Sequence, residues 1–426
     1  MKGSYMGKFF EKLTKRSSQI PLEDVFKPGG EPTYTYVERK GQDYEKRIGD
    51  WRKSEFKILS VSGPTKSGKT VQLRRSLGDQ AVWISGGTVG DIQEFWIAVC
   101  DQLDLSLESI ETSAREDAVE SSGGISVGVE AGLKTIQNTR SEITNVRRKS
   151  AMSAALHALE SLPFVLVIDD FHYIQNNVQG SIVRAMKESI FNGAKIVVIS
   201  VPHRSFDAVR VEKEMTGRLL PLEFSLWSVD ELMQVAIQGF NALNCSDPEN
   251  AIAERFAMES FGNPLLMQNL CLQLCRDNGV SGSDEGKELI LPGDDFFSAV
   301  SDEIERDSFT KITSGPSQRK GRKVRAYRDG SGGGDIYEVV MLAVSNIVPQ
   351  MSIKYEDIRE QLKAILVDGD MPQKHEITNI LESITAICRD QIEGEPVLEY
   401  DRDVRTLYIS DPYFAFFLKW NRSAPR

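Results

Sequence analysis

The sequence predicts an α/β protein: a parallel sheet comes first, a helical region follows, and a small domain of helices closed by a hairpin ends the chain. Three observations predict it. Short apolar runs at Phe56–Ser62, Ala81–Ser85, Pro163–Asp170, Lys195–Val201 and Leu222–Leu226 alternate with helical stretches such as Asp91–Leu103 and Ser153–Leu162. Such alternation gives right-handed crossovers and a parallel sheet whose ligands lie outside the carboxyl ends of the strands. From Ser228 the apolar period becomes helical and stays so. After Asp335, helical stretches at Ile336–Val348, Tyr355–Ile365 and Glu376–Cys388 give way to two strand-like runs, Pro396–Tyr400 and Thr406–Ile409. Helices followed by a hairpin predict a winged helix.

The first strand leads into Gly63-Pro64-Thr65-Lys66-Ser67-Gly68-Lys69-Thr70, which fits G-x-x-x-x-G-K-[ST] in full, with a helix opening at Val71. Glycines let backbone N–H groups wrap a phosphate chain, and the new helix presents its positive dipole end to it. The pattern therefore assigns Gly63 to Val71 to the phosphates of a nucleotide, Lys69 to the β- and γ-phosphates, and the Thr70 hydroxyl to Mg²⁺. An ordinary Gly/Ser-rich turn is the alternative, and the flanking strand and helix argue against it. The expected ligands are ATP or ADP with Mg²⁺ in a P-loop fold.

Composition sets the frame. A chain of 426 residues with 40% hydrophobic and 27% charged residues has material for two or three packed domains. Its net charge of -11 argues against a protein that coats nucleic acid through overall charge. The five cysteines, Cys100, Cys245, Cys271, Cys275 and Cys388, form no C-x-x-C pair and read as buried free thiols of a reducing cytoplasm. His157, His172, His203 and His375 have no ligand spacing, which speaks against a metal centre of their own. No apolar run reaches the roughly 18 residues that span a bilayer, and Met1 to Arg16 lacks a signal peptide's apolar segment. The expected location is cytoplasmic, with no membrane partner.

Taken in order, residues 1–35 read as an N-terminal arm, basic and then turn-rich at Lys27-Pro28-Gly29-Gly30. Residues 36–227 form the P-loop domain, with 105–150 as a variable insertion in which Gly123–Gly132 alternates like a small hairpin. Residues 228–311 form a helical lid. It opens with the capping box Ser228-Val229-Asp230-Glu231 and an apolar stripe of Leu232, Val235, Ala236, Gly239, Phe240 and Leu243. Two more helices, near Ile252–Ser260 and Leu265–Asp277, are joined by Phe261-Gly262-Asn263-Pro264. Residues 312–334, carrying Arg319, Lys320, Arg322, Lys323, Arg325 and Arg328 before a glycine run, read as a basic linker, and 335–426 as the winged helix.

At the sheet edge, Asp169 is the expected Mg²⁺ carboxylate, since an apolar strand delivers a charged group to a metal only at its end. Asp170 is the candidate that orients or deprotonates the attacking water; capping of the following turn is the alternative. His172 and Tyr173 follow closely, as packing or surface residues. Arg204 is preferred over His203 as a γ-phosphate sensor, because a permanently charged planar fork suits phosphate oxygens. Arg218 could reach a neighbouring subunit's nucleotide as an arginine finger, or make a surface salt bridge.

With these motifs in order, the chain resembles the STAND class of AAA+-related ATPases and its archaeal and initiator-like relatives, over roughly residues 30 to 420. Tyr36-Val37-Glu38-Arg39 looks like the family's segment near adenine, which implicates Val37 and Arg39. Val165-Leu166-Val167-Ile168-Asp169-Asp170 looks like its Walker B strand, and Ile199-Ser200-Val201-Pro202-His203-Arg204 is similar to its strand-four motif ending in arginine. Gly262-Asn263-Pro264 matches the Gly-x-Pro motif whose proline, here Pro264, lies against the base. Ordinary AAA+ proteins carry an arginine near Pro264, and Asp170 stands where a glutamate is common in AAA+ enzymes. The resemblance thus implies a slowly hydrolysing switch rather than a motor. In such a switch nucleotide closes sheet domain, lid and winged helix around one site, and exchange opens them for oligomerisation or effector signalling. STAND ATPases often serve in bacterial immunity or signalling, and no fused effector is visible in the sequence, so an effector would be encoded separately.

Residues 335–426 hold ten Lys/Arg against sixteen Asp/Glu; the presumed recognition helix contributes Glu376, Asn379 and Glu382, and the presumed wing Glu399, Asp401, Arg402 and Asp403. Phosphate would be repelled more than held, so the winged helix reads as an intramolecular clamp or protein-docking module. The basic run at 319–328 keeps an origin-initiator-like, ATP-dependent DNA-binding function as the alternative, with a solvated linker as its plainer explanation.

Overall fold

The computed structural model describes residues 19–54, 56–105, 151–200, 217–283, 286–302, 306–316, 322–392 and 396–421. The chain divides into two compact units: a sheet body of Arg39–Gly63 with Gly68–Ser225, and a helical body of Met1–Glu38, Pro64–Ser67 and Leu226–Arg426. Most of the 105–150 insertion, its presumed hairpin included, lies outside the described residues.

In the sheet body, β1 (Ile58–Ser62), β2 (Ala81–Ser85), β3 (Val165–Asp169), β4 (Lys195–Ser200) and β5 (Leu219–Glu223) form one sheet in the order β2-β3-β4-β1-β5. Every pairing is parallel. The three inner strands are continuous apolar runs because they are buried on both faces, while β2 and β5 at the edges are partly exposed. Alternate side chains feed two cores. Leu59, Val61, Val167 and Ile199 pack under α1 (Tyr44–Lys53) and α2 (Lys69–Leu77). Ile58, Ile84, Ile168 and Val198 pack under α3 (Ile92–Gln102), α4 (helical over 151–161) and α5 (Asn176–Phe191). Helix α1 is not among the elements that the sequence pattern predicts. Its buried residues Tyr44, Ile48 and Trp51 keep helical spacing, but six charged neighbours dilute the apolar signal.

The fifth strand sits three residues earlier than the expected Leu222–Leu226. It takes in Pro221, which pairs opposite Ser60. A proline is tolerated there because β5 is an edge strand with one neighbour, so the missing N–H interrupts no second ladder.

The helical body has one continuous core. After the sheet body its helices are α6 (Val229–Ala242), α7 (Ala251–Glu259), α8 (Pro264–Asp277), α9 (Asp294–Asp302) and α10 (Arg306–Ser314), the last of which runs across the expected 311/312 domain limit. The Ser228 hydroxyl accepts from Glu231 N–H as the capping box requires, and the whole expected stripe of α6 is buried. Residues of the expected N-terminal arm join this core: Leu22, Val25 and Phe26 are buried, and Phe26 meets Phe240 edge-on with ring centroids 5.7 Å apart.

The C-terminal part runs α11 (Ile336–Ile347), β6 (Ser352–Lys354), α12 (Tyr355–Ile365), α13 (Lys374–Asp390), β7 (Leu398–Asp401), β8 (Thr406–Ile409) and α14 (Pro412–Trp420). Strand β8 pairs antiparallel with both β6 and β7, completing a winged helix. Helix α14 turns its aromatic residues inward, with Phe414, Phe416 and Phe417 buried. Glu259 of α7, itself buried, accepts from Lys419 Nζ at 2.6 Å and Trp420 Nε1 at 2.9 Å, with Arg255 Nε at 3.5 Å.

The described part of the basic linker is folded onto this domain. Arg322 pairs with Asp335 at 2.7 Å, Lys323 with Asp370 at 2.7 Å, Arg325 with Glu376 at 3.3 Å and Arg328 with Asp368 at 2.7 Å. The Lys323 ammonium, then the Ala326 N–H, hold the Asp370 carboxyl below its ordinary range. All five cysteines are free and buried, and burial pushes the Cys388 thiol up to about 12. Among the described residues no helix is long and apolar enough to cross a membrane, and no group of three or more His, Cys, Asp or Glu side chains is placed to hold a metal ion.

Candidate functional site

Register sets the site. Ser62 at the end of β1 is level with Ser200 at the end of β4, and β3, on the other side of β4, ends at Asp169. The loop leaving β1 and the acidic end of β3 therefore come out on the same edge of the sheet.

Gly63 begins the loop, and only a glycine fits there. A Cβ would lie 2.6 Å from both the Cβ and the carbonyl oxygen of Phe224, whose N–H donates to Ser62 O at 2.7 Å. Gly68 ends the loop at φ +91°, in the left-handed region that glycine tolerates. It is the N-cap of α2, where no side chain accepts from the leading N–H groups. Lys69 and Thr70 form the first turn of that helix with partly buried Val71. Lys69 Nζ donates to Gly63 O at 2.8 Å. The Thr70 hydroxyl donates to Asp169 Oδ2 at 3.1 Å, while Asp169 Oδ1 accepts the Asp170 N–H at 3.0 Å. Two hard oxygen donors thus meet beside an uncapped helix start and an ammonium group, the donor set that Mg²⁺ and phosphate require.

Asp170 leaves β3 with φ +53°, and its side chain makes no capping bond to the following turn, Phe171–Tyr173. Its backbone is pressed against Gly86 just past β2, where a Cβ would fall 2.3 Å from the Asp170 carbonyl oxygen. The His172 ring lies 4.4 Å from that of Tyr173, which is exposed.

Arg39 is buried in the sheet body. It donates to the Ser225 carbonyl at 3.0 Å and the Ser225 hydroxyl at 3.1 Å, and its guanidinium lies 5.4 Å over the Tyr44 ring. Tyr44 in turn stacks on Phe224 at 4.0 Å and accepts the Ser225 N–H at 3.1 Å. Since Phe224 walls in Gly63, Arg39 braces the start of the phosphate-type loop from behind. Arg204 lies outside the described residues. Arg218 precedes β5, and its carbonyl accepts from Ile58 N–H at 2.9 Å, where β1 begins. Ile58 is four strand steps, about 13 Å, from the edge that carries the loop.

The middle of the loop, Pro64–Ser67, groups with the helical body. Trp227 ties it there: the indole N–H donates to Ser67 O at 2.9 Å, and the Trp227 backbone N–H donates to Gly262 O at 3.0 Å. Gly262 has φ +73°, and a Cβ on it would lie 2.8 Å from Leu226 Cβ. Asn263 then caps α8 through Leu265 and Leu266 N–H, and Pro264 is the first residue of the helix. Val37 is buried in the helical core. Lys66, at φ +57°, reaches Asp411 Oδ2 at 2.6 Å and sits 4.5 Å from the centroid of the Tyr413 ring.

Sequence reasoning missed Tyr44, Gly86, Phe224, Ser225, Trp227, Asp411 and Tyr413. Gly86-Gly87 directly after a predicted strand was a readable signal. The others touch the loop across 160 residues of sequence or more, or act through a neighbour, and no local pattern marks them.

No protein-family model matches the sequence, and none of the curated proteins matches it. Solved structures are similar in fold. A Walker-type ATPase of Pyrococcus abyssi superimposes with a TM-score of 0.51 at 13% identity, over 91% of this chain and 99% of that one. The ORC2 protein of Aeropyrum pernix, solved in ADPNP–ADP complexes, superimposes with a TM-score of 0.50 at 10% identity, over 94% and 97%. A Cdc6p from Pyrobaculum aerophilum has a TM-score of 0.45 at 13% identity, over 96% and 100%. The fold, a five-stranded parallel sheet followed by helices and a winged helix, is similar to that of the Walker-type ATPase and the ORC2 protein.

Proposed function

We propose that this chain is an ATP- and ADP-binding switch of the STAND type, which hydrolyses ATP slowly with Mg²⁺ and whose nucleotide state controls oligomerisation or a separately encoded effector. The observation that carries it is the hydrogen bond of Thr70 to Asp169, 3.1 Å long, at the head of a loop that only glycine can start and end. The Aeropyrum protein of similar fold was solved with adenine nucleotides, which supports the same ligand class here.

Magnesium and the β- and γ-phosphates would supply the charge that Lys69, Thr70 and Asp169 are placed to hold. Gly63 to Val71 would offer the backbone N–H groups, with Lys69 turning from the Gly63 carbonyl to the phosphates. Asp170, whose carboxylate does not cap its turn, would orient or deprotonate water. Val37 and Pro264 remain the proposed base contacts. For Arg39, its buried bonds to Ser225 favour a bracing role beside the one toward adenine. Arg204 is the proposed phosphate sensor. Arg218, at the opposite sheet edge from the loop, suits a neighbouring subunit's nucleotide better than its own. Domain limits at 35/36, 227/228, 311/312 and 334/335 are part of the same proposal, as is a bacterial signalling or anti-phage setting.

The test is nucleotide binding by purified protein with magnesium. Lys69→Ala abolishes binding, whereas Asp170→Asn binds normally and loses turnover. Wild-type protein without affinity for adenine nucleotides would sink the reading, and unchanged turnover in Asp170→Asn would remove that residue from the mechanism.

An initiator-like DNA-binding function is the second reading, kept open by the basic run at 319–328. Against it, the four described cations of the basic segment are already paired with carboxylates of the winged helix. Salt-dependent DNA binding, lost on neutralising Arg319 to Arg328, would favour this reading. Nucleotide-dependent assembly without DNA favours the first.

A further inference from the structure

We propose that Cys245 and Cys275 form a reversible disulfide within the helical body, with a small disulfide such as glutathione disulfide as the oxidant. The bond is a modification site of the helical body alone, and its formation does not depend on the nucleotide reading.

The short strand Cys245–Ser246 follows α6 and pairs parallel with Lys287–Glu288, which puts Cys245 level with Lys287. The Lys287 ammonium donates to the carbonyl of Asn278, the C-cap of α8, and the Val280 N–H folds back onto the Cys275 carbonyl at 2.8 Å. Register and these two bonds set Cys245 beside the last turn of α8. The thiols meet there, with Cys275 S–H donating to Cys245 Sγ. Both residues belong to one core, Cys245 at 6% exposure and Cys275 at 0%. Cys271 lies one helical turn before Cys275 in the same core. It is no competitor, because helix positions four apart hold their Cβ atoms about 5–6 Å apart and a disulfide needs about 3.5–4.5 Å.

The two sulfurs have different parts in the reaction. The hydrogen bond from Cys275, helped by the Lys287 ammonium, holds the Cys245 thiol below its ordinary value against the effect of burial. The same bond, together with burial, pushes Cys275 up. Cys245 is therefore the thiolate that attacks. Its sulfur bonds to one sulfur of the oxidant and expels the other as a thiolate. Cys275 then gives its proton to that thiolate, attacks Cys245 Sγ and expels the second half of the oxidant. Two protein thiols are oxidised to one disulfide, and one small disulfide is reduced to two thiols. Access comes from the outer strand, since Lys287–Glu288 is two residues long and exposed on both, and such a short pairing opens at little cost.

The test is on the full chain, treated with glutathione disulfide in native buffer, alkylated, unfolded and its thiols counted. Wild type is expected to lose two of its five thiols, with the Cys245 and Cys275 peptides joined in a mass-spectrometric map and all five thiols restored by dithiothreitol. Cys275→Ser is expected to stop at a glutathione mixed disulfide on Cys245, Cys245→Ser to leave Cys275 free, and Cys271→Ser to form the bond as wild type does. Cys100 and Cys388, whose thiols burial pushes up, are expected to react at least about tenfold more slowly. Five free thiols after treatment, a bond through Cys271, or a mixed disulfide that persists on Cys245 in wild type overturns the proposal. So does modification of all five at one rate, which marks an unfolded chain. Where a serine variant fails to fold, the wild-type peptide map alone decides.

Discussion

A Cβ on Gly86 would fall 2.3 Å from the carbonyl oxygen of Asp170, so the end of β2 sets where the proposed water-orienting carboxylate stands. Gly86→Ala must displace backbone rather than a flexible side chain. Turnover is expected to fall about tenfold or more while nucleotide affinity stays within about threefold, since a shift near 1 Å at a reacting group costs up to about a hundredfold. Equal loss of affinity would place the effect at the loop instead. Cys388 supports a second prediction at this scale. Burial raises its thiol from the ordinary 9.0 to about 12, so between those values the unfolded chain is ionised while the folded one is not. Its contribution to stability is therefore full below pH 9 and is lost as pH rises toward 12, by up to about 1.4 kcal/mol per unit. Urea midpoints at pH 8 and pH 10 should fall apart in wild type and move closer in Cys388→Ala. Single residues were legible in the sequence only where a pattern required a type: glycine at positions 63 and 68, lysine at 69, threonine at 70, a carboxylate at 169. Arg39 was picked out for a place beside the base, and its bonds to Ser225 give it a bracing role that four residues of sequence could not reveal.

Elements were read well where burial made them uniform. β1, β3 and β4 are enclosed on both faces and stood out as apolar runs, whereas β5 at the edge carried Pro221 and was placed three residues late. Helix α1 escaped because only three of its ten residues are buried. The N-terminal segment shows why a turn-rich stretch can still be structural. Gly239 in α6 leaves room for the Phe26 ring, and a Cβ there would come within 2.2 Å of it. Gly239→Ala is expected to destabilise the helical body by about 1 to 3 kcal/mol, as overpacking does, despite alanine's better helix propensity. Chemical denaturation measures it. A stability gain would mean that Phe26 moves aside freely.

Over the whole molecule, Glu259 joins the lid to the last helix of the winged helix. With Lys419, Trp420 and Arg255 around one buried carboxylate, Glu259→Gln should cost about 1 to 3 kcal/mol, because cations are left facing a neutral group. Separate unfolding of lid and winged helix in that variant would show that the carboxylate makes them one cooperative unit; an unchanged single transition would assign that role to the aromatic core alone. The order of sheet, lid and winged helix, the phosphate-type loop and the acidic end of β3 were determined by the sequence alone, since period, capping and motif spacing act over a few residues. Which cations are committed was decided by the tertiary structure. Arg322, Lys323, Arg325 and Arg328 were expected in a basic linker and are paired with the winged helix, and Lys66, expected at phosphate, is held by Asp411. A charge's partner is whatever carboxylate the fold brings within about 4 Å, and no pattern along the chain records that distance.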